Sequence, residues 1–140
     1  NALLAELFSL KIMGAFSDGF GVYGEIAPIT AVALADKIKA KLHGGVKYFD
    51  SGSPVKRLGI CSGSGGDLIE EAFSLGLDAL LTADVRHNAF IFAKNKNITL
   101  FDAGHFETEN IFMPRFRDML AEKFPGIYFE VFGPKKIAYR

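Results

Sequence analysis

The chain has a single cysteine, Cys61, and no tryptophan among its 140 residues. One thiol excludes an internal disulfide and any zinc site built on paired cysteines, and it fits a reducing compartment. A cytoplasmic protein is therefore expected. A surplus of either charge is also missing: 16 basic residues balance 16 acidic ones. No global field then favours nucleic acid or an anionic membrane. Weak mutual repulsion leaves self-association open, and an oligomer is expected. No apolar run approaches the ~20 residues of a membrane span, and no secretory signal pattern is visible. What the chain does have is apolar bulk: it is 49% hydrophobic and holds 14 Phe. That is enough to build a core, and residues 1–140 are read as one domain.

Periodicity alternates along the chain. Residues 3–10 read as an amphipathic helix, reaching toward Ile12, and residues 14–24, with four glycines, as loop or irregular strand. A second helix over 30–42 carries its apolar positions at Val32, Leu34, Ala35, Ile38 and Leu42, and H-G-G at 43–45 stops it. Strands are predicted at 46–49, 55–61, 79–82, 98–101 and 127–132, with a short last one at 137–139. Helices are predicted at 67–75, at 85–95, and from His105 to Phe124. Pro114 lies inside the last of these and should kink or restart it. Strands alternating with helices of about ten residues imply βαβ units. The fold class is α/β, a three-layer sandwich with a mixed, largely parallel sheet and helices on both faces. The link before residues 137–139 is too short for a crossover helix, so that strand should run antiparallel.

Three loops at predicted strand ends carry chemistry. The richest is D-A-G-H-F-E-T-E over residues 102–109. His105 and Glu109 stand at i and i+4, on one face of a helical turn, at the end of a strand where open α/β sheets bind ligands. One nitrogen and one oxygen suit zinc, iron or manganese. The same pair also reads as an ordinary surface i, i+4 contact, and Asp102 and Glu107 as acids suited to a helix N-terminus. The second loop is Gly63, Ser64, Gly65 and Gly66, between a strand and a helix. It reads either as a cradle for an anionic group such as phosphate or as a tight turn capped by Ser64 or Asp67. Its spacing is neither G-x-G-x-x-G nor a Walker loop. The third is T-A-D-V-R-H over 82–87, where Asp84 and His87 could serve as acid–base groups or metal-supporting partners, or simply as a helix cap and a surface residue. His43, at a helix C-terminus, reads as a favourable end charge.

Taken together and in order, C-S-G-S-G-G-D-L-I (61–69), L-D-A-L-L-T-A-D (77–84) and D-A-G-H-F-E-T-E (102–109) resemble the C-terminal part of the dinuclear-metal-centre hexameric proteins, often described as homologues of a type 2 form of GTP cyclohydrolase I. The resemblance is strongest from Val55 to Leu120. It implies that His105 and Glu109 are metal ligands, facing further ligands from an N-terminal half, typically a His-His pair and an Asp. No His-His occurs in this chain, so half of a site for two divalent ions is present. The family usually has Gly where Ala83 stands and His where Asn88 stands. The resemblance further implies a toroidal hexamer for full-length proteins.

From these readings the leading expectation is a metal-dependent hydrolase-like protein. His105 and Glu109 hold metal, Asp84 acts as the catalytic proton acceptor or ligand-orienting group, and the loop from Gly63 to Gly66 holds an anion. The substrate expected is a nucleotide or other phosphorylated heterocycle, and the chain alone should be inactive. The rival expectation is a non-catalytic oligomeric scaffold or regulatory interaction protein with a structural metal.

Overall fold

A computed structural model describes residues 1–133. Its elements are α1 (Ala2–Leu7), β1 (Lys11–Phe16), β2 (Gly21–Ile29), α2 (Ala31–Leu42), β3 (Lys47–Phe49), β4 (Val55–Ser64), α3 (Ile69–Ser74), β5 (Ala79–Ala83), α4 (His87–Lys96), β6 (Thr99–Asp102), α5 (His105–Asn110) and α6 (Phe112–Lys123). The six strands form one mixed sheet in the order β1-β2-β4-β5-β6-β3. Its centre, β4-β5-β6, is parallel. β1, β2 and β3 join it antiparallel.

Period-two alternation in the central strands distributes side chains to two cores. Ala79 and Leu81 of β5 and Phe101 of β6 pack with Leu4 and Phe8 from the α1 segment and Leu34 and Ile38 of α2. Leu80 and Leu100, each one residue out of phase, pack with Ile69 and Ala72 of α3 and Ala89 and Ala93 of α4. Helices therefore cover both faces, as expected from strands alternating with helices. Each fully buried Leu or Phe contributes roughly 1.5–3 kcal/mol relative to exposure.

Several expected elements differ. Residues 14–24 are a strand hairpin, β1 paired with β2 through Ala15↔Val22 and Phe16↔Gly21. The glycines concealed it: a Cβ on Gly14 would lie 2.8 Å from the Tyr23 ring, and one on Gly24 would collide with the Lys11 carbonyl. Here glycine marks close cross-strand approach rather than a break. The first helix ends at Leu7, and Ser9 takes a left-handed φ of 57°. β4 runs on to Ser64, and a 3-10 turn at Gly66–Leu68 precedes α3. The helix after His105 does restart, as expected, but at Ile111, so that Pro114 falls in the first turn of α6, where its missing N–H costs nothing. Residues 127–132 are not a strand: they have no ladder partner among the described residues. The strand expected at 137–139 lies outside the described residues. The antiparallel element instead comes from β1, β2 and β3. α6 buries none of its residues, and Phe112, Met113, Phe116 and Met119 stay exposed. Among the described residues no helix is long and apolar enough to cross a membrane.

Candidate functional site

The parallel strands β4, β5 and β6 end together, so their three following loops meet at one edge of the sheet. That edge gathers residues 63–67, 84–86 and 102–109. The β1–β2 turn, Ser17–Gly19, joins them because β2 runs antiparallel to β4.

His105 opens α5 and is the hub. Its Nδ1 lies 2.6 Å from Asp84 Oδ2, and its Nε2 lies 3.1 Å from Glu109 Oε1. Asp84 reaches it from the turn after β5 with a left-handed φ of 52°. Asx residues tolerate that region better than others, and such outliers concentrate at working sites. The hydrogen bond to the Asp84 carboxylate raises the His105 pKa above its ordinary 6.5; desolvation opposes it, and the charges of Glu109 and Asp84 add to the rise. The ring is half exposed.

Two buried threonines fix this geometry. The Thr108 hydroxyl donates to the His105 carbonyl (3.0 Å) and accepts from the Gly63 N–H (3.0 Å). Thr82 donates to the Gly63 carbonyl (3.1 Å). Gly63 is thus clamped from two sides with φ at 66°, and a Cβ there would lie 2.5 Å from Glu109 Oε1 and 3.3 Å from His105 Nε2. Its glycine is what leaves room for the pair. Its N–H, taken up by Thr108, is not available to an anion as the sequence suggested. Ser64, Gly65 and Gly66 do line a cavity of about 440 Å³, along with Asp84, Arg86 and Glu109.

The other sequence candidates lie elsewhere or serve the backbone. Asp102 accepts from the N–H groups of Val85 (3.2 Å) and Gly104 (3.4 Å) and pairs with Lys47 at 3.5 Å, so it pins the loops rather than offering itself as a ligand. Glu107 lies against Gly44 at the end of α2. His87, exposed on the first turn of α4, lines a separate groove with Tyr48, Phe90 and Lys94. His43 is the left-handed C-cap of α2. Reading the sequence missed Thr82 and Thr108. The signal available was a Thr inside each of the two motifs, at positions whose burial only the fold reveals.

The donor set fits a metal in part. Ligand atoms about 2.1 Å from one ion, at about 90–110° to each other, stand about 3.0–3.4 Å apart. His105 Nε2 and Glu109 Oε1 have that spacing. Asp84 on the far ring nitrogen is the carboxylate–histidine arrangement that orients metal-binding imidazoles. Among the described residues no group of three His, Cys, Asp or Glu side chains is disposed to hold an ion. Two ligand atoms are half of a coordination shell.

Fold and site together define a three-layer α/β protein with a histidine–carboxylate cluster at the C-terminal ends of its parallel strands. The family model described as Duf34/NIF3 (NGG1p interacting factor 3) matches residues 1–136, and the chain belongs to that family. A Yersinia pestis relative, named GTP cyclohydrolase 1 type 2 homolog, is 30% identical over 127 residues, covering 89% of this chain and 51% of its own. A Campylobacter jejuni relative of the same name is 37% identical over 109 residues, covering 76% and 43%. The solved structure of a protein of unknown function, ybgI, superimposes with a TM-score of 0.82 at 30% identity, covering 87% of this chain and 50% of that one. The chain spans about half the length of the curated relatives it matches.

Proposed function

We propose that this chain carries one half of a dinuclear metal site, and that the complete site hydrolyses a nucleotide or other phosphorylated heterocycle. The observation supporting this most directly is the cis-like spacing of His105 Nε2 and Glu109 Oε1, 3.1 Å apart, with Asp84 on Nδ1. On this reading His105 and Glu109 hold a divalent ion, zinc, iron or manganese. Asp84 fixes the imidazole so that Nε2 presents its lone pair, which makes it a positioning residue, the ligand-orienting one of the two roles the sequence offered. Thr108 holds the first turn of α5 against β4, and Gly63 keeps the ligand face free of a side chain. When bound, two ions would supply an activated water at neutral pH and a clamp for developing charge. Alone, this chain lacks the opposing ligands and should turn over nothing.

Elemental analysis after dialysis tests it. This chain should hold zinc or manganese below one ion per chain. A full-length relative should hold at least one per subunit and lose it when the histidine matching His105 becomes Ala. A relative that holds no metal, or keeps it all in the variant, would overturn the reading.

A second reading, an oligomeric scaffold with a structural metal, is favoured by the exposed apolar row Phe112, Met113, Phe116 and Met119 on α6. Hexameric assembly of full-length relatives belongs to either reading. Nucleotide-specific, metal-dependent thermal stabilisation of a relative would select the enzyme; its absence across a nucleotide panel would select the scaffold.

A further inference from the structure

The tip of the β1–β2 hairpin holds three consecutive residues in the left-handed region: Ser17 at φ 51°, Asp18 at 52° and Gly19 at 92°. For the two non-glycine residues this conformation is costly and persists only where surroundings enforce it. Here they do. The Ser17 N–H donates to Glu71 Oε1 of α3 (2.9 Å), and Asn1 Nδ2 donates to the Phe20 carbonyl (2.9 Å). The residue so positioned is Phe20, which is 73% exposed while it lines the cavity beside the His105 cluster. Arg86, also exposed and also lining that cavity, forms no ion pair among the described residues. The cavity, at about 440 Å³, has the size of a small-molecule site.

We propose that this cavity is the substrate subsite: Phe20 is a stacking platform for a planar heterocycle, and Arg86 binds the anionic group that heterocycle carries. An exposed ring on a hydrogen-bonded turn provides a flat apolar face, and only its two side-chain torsions remain to be ordered. An unpaired guanidinium binds phosphate through two parallel hydrogen bonds. Of the three carboxylates lining the cavity, Asp84 and Glu109 both face His105. That leaves Asp67 to accept from a ring N–H or amino group. The ligand class is a nucleoside monophosphate or a compound with the same pairing of ring and anion. The inference rests on the metal half-site reading for its place in a reaction, and on the cavity alone for binding.

Titration calorimetry of the 140-residue chain in EDTA, with AMP, GMP, adenosine and inorganic phosphate, tests it without metal. At least one nucleotide should bind at millimolar concentration or below. Phe20→Ala should weaken nucleotide and nucleoside alike by about tenfold, and Phe20→Tyr should restore both. Arg86→Gln should weaken the nucleotide by about tenfold and leave adenosine unchanged. No nucleotide binding, unchanged affinity in both variants, or equal loss of adenosine and nucleotide in Arg86→Gln would overturn the proposal. Zinc binding measured separately keeps the two readings apart. Nucleotide binding with no metal in a full-length relative sinks only the metal reading, and metal without nucleotide sinks only this one.

Discussion

Replacing Gly63 by Ala tests whether a glycine, rather than a ligand, limits the site. The position has φ at 66°, and a Cβ would stand 2.5 Å from Glu109 Oε1 and 3.3 Å from His105 Nε2. The left-handed backbone alone costs an L-residue about 1–2 kcal/mol. For a chain of this size that lowers Tm by roughly 3–8 °C. The steric part falls on the Glu109 carboxylate, half exposed and free to swing away, so it adds little to unfolding but parts the ligand pair. Gly52 provides the control. Its φ is 80° with nothing within 4 Å of a Cβ, so Gly52→Ala carries a similar backbone cost with no steric consequence. Both variants should melt lower by similar amounts, while only Gly63→Ala loses weak zinc binding, by tenfold or more, in a competition titration with a chromogenic chelator. Equal zinc affinity in Gly63→Ala and the parent, or equal loss in Gly52→Ala, would refute the argument that this glycine exists to admit the pair.

Three further outcomes follow from the same geometry. Thr108→Val, nearly isosteric and 2% exposed, leaves the Gly63 N–H buried without its acceptor and should cost about 1–3 kcal/mol in chemical denaturation. Because Asp84 raises the His105 pKa, the stability this contact adds is fully present below the ordinary 6.5 and is lost as pH rises through the higher folded value. NMR titration of the imidazole should show Asp84→Asn moving that pKa down toward 6.5, and an unmoved value would remove Asp84 from its positioning role. Leu80→Ala, fully buried between β5 and the α3/α4 layer, should cost about 2–5 kcal/mol, far more than His105→Ala, which gives up only half-exposed contacts.

The apolar runs of β4, β5 and β6 and the helical spacing of residues 30–42 made the α/β class and the helix-covered parallel centre legible in the sequence, because burial on both faces demands near-continuous hydrophobicity. The i, i+4 spacing of His105 and Glu109 was legible for the same kind of reason: helical geometry is local. Local signals failed at the β1–β2 hairpin, where glycines serve cross-strand packing that a sequence read in one dimension does not show. They failed again over residues 127–132, whose strand-like composition finds no ladder partner among the described residues. What only the tertiary structure decided is which side chains meet. Asp84 lies 21 residues from His105, and Gly63 lies 45 from Thr108; only the parallel order of three strands brings their ends to one place. Asp102, also a carboxylate and closer in sequence, is withdrawn because two backbone N–H groups and Lys47 engage it. The residue types were written in the chain, and their roles were assigned by which hydrogen-bond partners the fold left each of them.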